Sequence, residues 1–244
     1  MRYEYLISMA AVGILVWLPL YIWRKDLRKP MVWSGLFYII TITAWFITIG
    51  IPSALMSIPA SRTLTPGYWE PETLFNTGKL TAGLAVEDIL FMFFIGGIAT
   101  VLYEYCFHWR IAIPRNNHGH HYRALAFGLL VALMFLLLFP LNIMYVLIAF
   151  NFAAAAAIWI DREDLIRHSL FGGVLLLTLY TFLFYALNLF SPDFVTRVYH
   201  LENVSGILFV GIPLEELLYA FGFGLFWAPI YEYEHGAKNR AIPA

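Results

Sequence analysis

The chain predicts an all-α integral membrane protein, with seven transmembrane helices arranged as two parallel three-helix repeats joined by a linking helix. Three observations carry this. The residues are 61% hydrophobic and 13% charged, against about 25% charged in an average soluble domain, and the mean hydropathy is +0.73. The apolar residues fall into runs near the ~20 residues that a spanning helix needs. The segment Gly78–Tyr105 also lies over Gly206–Tyr233 without a gap, at a shift of 128.

Taken in order, the runs place spans at about 5–23, 33–51, 83–104, 123–139, 142–160, 169–189 and 207–231. The fourth and fifth are joined by a very short turn at Pro140 and Leu141. No cleavable signal peptide is expected, because the first cationic cluster follows the first apolar run instead of preceding it. Asp26-Leu27 after the first span matches Asp164-Leu165 after the fifth, so the repeat extends beyond the third and seventh spans. The offset there is 138, which gives the first copy a longer outer loop, about 52–82. The result is one membrane domain: a first repeat at about 1–112, a linking helix at about 120–140 and a second repeat at about 141–244. Three spans, one linking span and three more leave both copies in the same orientation, related by an axis along the membrane normal.

Positive charge orients the bundle. Arg24, Lys25, Arg28, Lys29, Arg110, Arg115, Arg123, Arg162, Arg167, Lys238 and Arg240 fall on one side, and Arg2, Arg62, Lys79 and Arg197 on the other. The positive-inside rule puts the N-terminus outside and the C-terminus in the cytoplasm, in the cell membrane. A formal net charge of −1 gives no sign of a nucleic-acid partner. The single cysteine, Cys106, excludes an internal disulfide.

The duplicated segment carries duplicated acids. Glu87-Asp88 and Glu215-Glu216 open the third and seventh spans, and acids inside membrane helices are costly and tend to be functional. Adjacent carboxylates repel, so one of each pair should hold a proton more tightly than usual. Such an acid in an apolar site is suited to protonating a greasy substrate. One cavity between the third and seventh helices, lined by both pairs, follows from the symmetry. Phe91, Phe93, Phe94, Tyr219, Phe221 and Phe223 flank the acids, either as substrate-cavity aromatics or as plain packing. Tyr103-Glu104 and Tyr231-Glu232 recur at the far ends of the two helices. They read as headgroup anchors or, for Glu104 and Glu232, as supporting groups between helices.

Gly211-Ile212-Pro213-Leu214-Glu215-Glu216-Leu217-Leu218-Tyr219, followed by Tyr231-Glu232, resembles the lycopene cyclase domain of membrane carotenoid cyclases. That family carries Pro-x-Glu-Glu entering a transmembrane helix and a Tyr-Glu near its end. Tyr68-Trp69, Asn76 and Gly78 resemble the approach to the motif in the first copy. There Ala85 stands in place of the proline and Asp88 in place of the second glutamate. The resemblance implies redox-neutral cyclisation of an acyclic lycopene-type end. Glu215 and Glu216 would be the principal acid/base pair, with Glu87 and Asp88 as their symmetry mates. It implies a lipophilic polyene substrate held in the bilayer, other carotenoid-pathway enzymes as partners, no cofactor and no metal.

Other readings fare less well. His118-Gly119-His120-His121 resembles a fragment of a histidine box, but the chain has only 7 His, fewer than a di-iron site built from several such boxes needs. Gly222-Phe223-Gly224 lies within an apolar span instead of following a strand, so it is not a dinucleotide fingerprint. With Gly96-Gly97 and Gly172-Gly173 it fits close helix approach. No lysine falls within a span, which excludes a retinal pigment. The competing function is a transporter built from parallel three-helix repeats, for which Asn142, Asn151 and Asn188 are the candidate polar groups.

Overall fold

The computed structural model describes residues 3–47, 59–81, 83–113 and 122–241. The chain is mostly helical. Its first helix, α1, spans Glu4–Trp23 and widens to a π-turn over Gly13–Trp17. Pro19 follows that turn and cannot donate a backbone hydrogen bond, which is a common cause of such local unwinding. A 3-10 turn over Lys25–Leu27 leads into α2, Arg28–Trp45. Helix α3 runs Val86–Phe107 and stops at His108, in the left-handed region with φ 55°. Helices α4, Arg123–Leu138, and α5, Ile143–Asp161, form a hairpin. Pro140 ends the first of these, and the Asn142 side chain caps the second by accepting from the Met144 N–H at 2.9 Å.

A second 3-10 turn, Glu163–Leu165, leads into α6, Ile166–Phe190. Helix α7 spans Leu214–Trp227, and α8 spans Ile230–His235. Pro229 separates them because it has no N–H to continue the ladder. In the matching helix α3 the corresponding residue is Val101, and the helix runs through.

Among the described residues, four helical segments are long and apolar enough to cross a bilayer: Glu4–Trp23, Val86–Phe107, Ile143–Asp161 and Glu163–Phe190. Helix α4 is apolar but shorter, at 16 residues. Two expected spans begin later than the apolar runs do. The run from 207 opens with a two-residue hairpin, β2 Leu208–Phe209 against β3 Ile212–Pro213. Val210 and Gly211 turn it with φ of 52° and 74°, the positive values that such hairpin turns need. Helix α7 therefore starts only at Leu214, and α3 only at Val86. The expected end of the second span, near 51, lies outside the described residues.

Packing repeats itself. Helix α2 lies against α3 where Gly35 meets Phe93, and α6 lies against α7 where Gly173, at the corresponding position, meets Phe221. A Cβ on Gly172 would sit 2.2 Å from the Ala228 Cβ. The core runs along this seam, through Ile98, Val101, Phe226, Trp227 and Tyr233.

A four-bond clamp also occurs twice. Arg24 donates to Asp26 at 3.0 and 2.9 Å, to the Glu104 carbonyl at 3.1 Å and to the Trp109 carbonyl at 2.7 Å. Arg162 donates to Asp164 at 2.7 Å through two nitrogens, to the Glu232 carbonyl at 3.5 Å and to the Ala237 carbonyl at 3.1 Å. Each guanidinium thus fastens the 3-10 turn of its copy to the far end of the acid-bearing helix. The Arg24 guanidinium also holds the Asp26 carboxyl below the usual carboxylate range. At the same end β1, Trp109–Ala112, pairs antiparallel with β4, Lys238–Ala241.

The acid end is closed by loops. The loop before α3 pairs with the segment before α7 through Glu70 N–H to Val198 O and His200 N–H to Tyr68 O, both 2.8 Å. Glu4 joins α1 to the segment after α6, taking bonds from Ser191 and Arg197 at 2.6 Å each. Arg62 caps the end of α4 by donating to the Phe139 carbonyl at 3.1 Å.

Candidate active site

A cavity of about 720 Å³ lies among α1, α2, α3, α6 and α7, within the range of small-molecule pockets. Asp88 and Glu216 both line it. Glu87 and Glu215 do not, because neighbouring residues on a helix point about 100° apart. Only one member of each pair can face the seam between α3 and α7. The outer members instead hold the loops. Glu87 accepts from the Leu74 N–H at 2.6 Å. Glu215 accepts from the Ser205 N–H at 2.9 Å and from the Tyr145 hydroxyl at 2.8 Å. The expectation that both pairs line the cavity is therefore replaced by one acid from each helix.

Tyrosines serve both cavity acids. The Tyr5 hydroxyl donates to Asp88 Oδ1 at 2.7 Å, and the Tyr180 hydroxyl donates to Glu216 Oε2. Tyr68 and Tyr199 line the same cavity as Glu216. Between the two acids, the Tyr38 and Tyr219 hydroxyls share a hydrogen bond of 2.5 Å. Trp69 packs edge-on against Tyr5 with ring centroids 4.6 Å apart.

The two departures of the first motif copy act together. Ala85 has an N–H, which donates to Asp88 Oδ2 at 2.7 Å. Pro213, at the corresponding position, has none, so Glu216 is not drawn back to the helix start. The shorter aspartate side chain suits this role as the acid that closes the first turn.

Of the flanking aromatics, Phe91 and Tyr219 line the cavity, whereas Phe94 and Phe223 do not. Phe94 fills the space beside Gly13 and Trp17. Phe223 is buried against Tyr38, Tyr219 and Trp227. Tyr5, Tyr38, Tyr180 and Tyr199 also line the cavity, and sequence reasoning misses them. A tyrosine within an apolar run looks like packing until the partner of its hydroxyl is known. The one usable signal was Tyr68-Trp69, which stands upstream of the first motif copy.

The Tyr-Glu ends differ from the headgroup-anchor reading. Tyr103 and Tyr231 are buried, and Glu104 and Glu232 are wholly so. They point inward to the seam between helices, where Tyr103 stacks on His168 and Tyr231 on His235. Two of the polar groups weighed for a carrier, Asn142 and Asn188, have structural tasks. Asn142 caps α5 and donates to the Ser61 and Thr63 carbonyls at 2.9 and 3.0 Å. Asn188 donates to the Gly211 carbonyl at 3.2 Å, and Asn151 is buried beside Gly222. His118, His120 and His121 lie outside the described residues.

A family model described as lycopene cyclase matches residues 3–106 and 142–234. The chain belongs to the lycopene cyclase family. The two matched segments hold the two acid-bearing helices, and the stretch between them contains α4. Membership supports carotenoid cyclisation as the general class of function, with a lipophilic polyene substrate and a membrane environment. No curated protein and no solved structure matches the chain.

Proposed function

We propose that the chain closes a six-membered ring at an acyclic lycopene-type end by a redox-neutral, proton-initiated cyclisation. The observation that carries this reading is the placement of Asp88 and Glu216, one from each copy, on the wall of one apolar, aromatic cavity. A proton is added to the terminal double bond and gives a tertiary cation. The neighbouring double bond supplies an electron pair to that cation and closes the ring. A proton then leaves an adjacent carbon, so substrate and product are isomers. One cavity carboxyl supplies the acid and the other the base, and general acid–base catalysis of this kind contributes about 10²–10⁴-fold.

The walls suit the cation. Tyr38, Trp69, Phe91 and Tyr219 line the cavity; aromatic rings stabilise positive charge, and an apolar site keeps water from trapping it. The rim includes Ile7, Leu15 and Phe190, which are 54%, 72% and 80% exposed on the outer surface. Because these cavity-lining residues of α1 and α6 are exposed, a long polyene enters past them from the bilayer. Asp88 also lines a smaller cavity of about 300 Å³ beside Glu70, Glu72, Thr73 and Asn76. That polar chamber gives Asp88 a path for exchanging its proton with water.

The same reading includes seven spans, two parallel repeats joined by α4, and an outside N-terminus in the cell membrane. The duplicated Arg24 and Arg162 clamps support the repeat, and the lysine and arginine distribution supports the orientation. Because substrate and product stay in the bilayer, enzymes that supply the polyene and consume the cyclic product are its natural neighbours. The test is expression in a lycopene-accumulating host followed by pigment analysis. The expected result is a compound of unchanged mass with one or two rings. Unchanged lycopene, with the protein confirmed in the membrane, counts against the reading.

A further inference from the structure

Glu104 on α3, His168 on α6 and Glu232 on α8 meet at the opposite end of the bundle from the cavity acids. Along α3 alone, Glu104 is sixteen residues beyond Asp88, about 24 Å at ~1.5 Å per residue. Glu104 and Glu232 have no exposed surface, and His168 is 3% exposed. His168 Nε2 lies 3.5 Å from Glu104 Oε1, and Nδ1 lies 3.7 Å from Glu232 Oε1. One donor atom from each of the three residues falls within 4.8 Å of the others. Tyr103 stacks on the imidazole with centroids 4.5 Å apart and fixes its plane.

These separations exceed the ~2.7–2.9 Å of a charge-assisted hydrogen bond. An imidazole gives one nitrogen to one cation, so the relevant spacing is that of one donor from each residue, all within 4.8 Å, which side-chain rotation narrows to the roughly 3.3–3.6 Å of donors placed tetrahedrally around a cation at ~2.0–2.2 Å. Neither carboxylate oxygen of Glu232 has a hydrogen-bond partner, although both are buried. The Arg24 and Arg162 guanidiniums donate to the backbone carbonyls of Glu104 and Glu232. Each is already matched by its own aspartate, Arg24 with Asp26 and Arg162 with Asp164. Two buried carboxylates side by side repel each other, and a divalent cation cancels both charges at once.

We propose that Glu104, His168 and Glu232 form a site for one divalent transition-metal cation, which pins α3, α6 and α8 together. Two carboxylates and one imidazole suit Zn²⁺ best, with Mn²⁺ and Fe²⁺ as competitors for the same donors. At this distance from the cavity the ion stabilises the helix junction and takes no part in cyclisation.

The test uses the full chain purified in detergent. The protein is stripped with a chelator, reloaded with Zn²⁺, Mn²⁺ or Fe²⁺, desalted, and assayed for bound metal and thermal unfolding. The expected result is close to one equivalent of metal per chain, with a higher unfolding midpoint than the stripped protein. His168→Gln and Glu232→Gln should lose the retained metal, while alanine at His118, His120 and His121 together should leave it unchanged. The wild-type comparison needs no substitution, so it stands even where a ligand variant fails to fold. Folded wild-type protein that retains no metal overturns the site. So does metal that survives Glu232→Gln or disappears with the His118–His121 substitutions.

Discussion

Asp88 and Glu216 occupy corresponding positions on α3 and α7, yet each reaches the cavity in its own way. Asp88 is held by the Ala85 N–H and Tyr5, whereas Glu216 follows a proline that offers no N–H and is met by Tyr180. Their neighbours Glu87 and Glu215 fasten the loops that close the acid end. Glu87→Gln and Glu215→Gln should therefore lower the thermal unfolding midpoint, each costing about 1–3 kcal/mol for a disturbed buried hydrogen bond. Ring formation per folded molecule should fall far less than for changes at the cavity acids. Unfolding scans beside pigment conversion by the same membranes check this. The acid pairs themselves were plain in the sequence, because charge in an apolar run stands out. Which acid of each pair faces the cavity was not, since a helical turn of about 100° per residue decides it and the absolute rotation depends on packing. The tyrosine partners were hidden for a related reason: Tyr5, Tyr38 and Tyr180 come from three other helices, and no local spacing ties them to the acids.

Among the elements, the α6–α7 contact is the tightest point to probe. Gly172→Val should force these helices apart, because even the first added carbon lies 2.2 Å from the Ala228 Cβ. Overpacking of this kind costs about 1–3 kcal/mol, to be read as a lower unfolding midpoint in detergent. Each of the seven apolar runs overlaps a helix among the described residues. The differences lie at helix starts. Residues 207–213 are apolar enough for a span, but Val210 and Gly211 turn them into a hairpin. Apolar composition reports burial or lipid contact and does not distinguish a buried hairpin from the first turns of a helix. The break between α7 and α8 was written in the sequence as Pro229, a residue the matching helix lacks.

At the scale of the whole molecule, duplication is the organising fact. Two acid-bearing helices, two arginine clamps and two glycine-mediated contacts lie in matching places on the chain. The shift of 128 between copies was visible because the third and seventh helices align without a gap. The pairing of one acid from each copy on a single cavity wall was the part that sequence symmetry foreshadowed and packing refined. The proposed seven crossings with an outside N-terminus predict that reporters fused after Phe107 and at the C-terminus fall in the cytoplasm, whereas a reporter in the 59–81 loop falls outside. A reporter series across these loops checks it, and a cytoplasmic 59–81 loop would contradict the topology. The most direct test of the central claim is the pigment profile of a lycopene-accumulating host expressing Asp88→Asn or Glu216→Gln, each present in the membrane at the wild-type level. The account predicts that ring formation falls at least about 100-fold in both; wild-type conversion in both would contradict it.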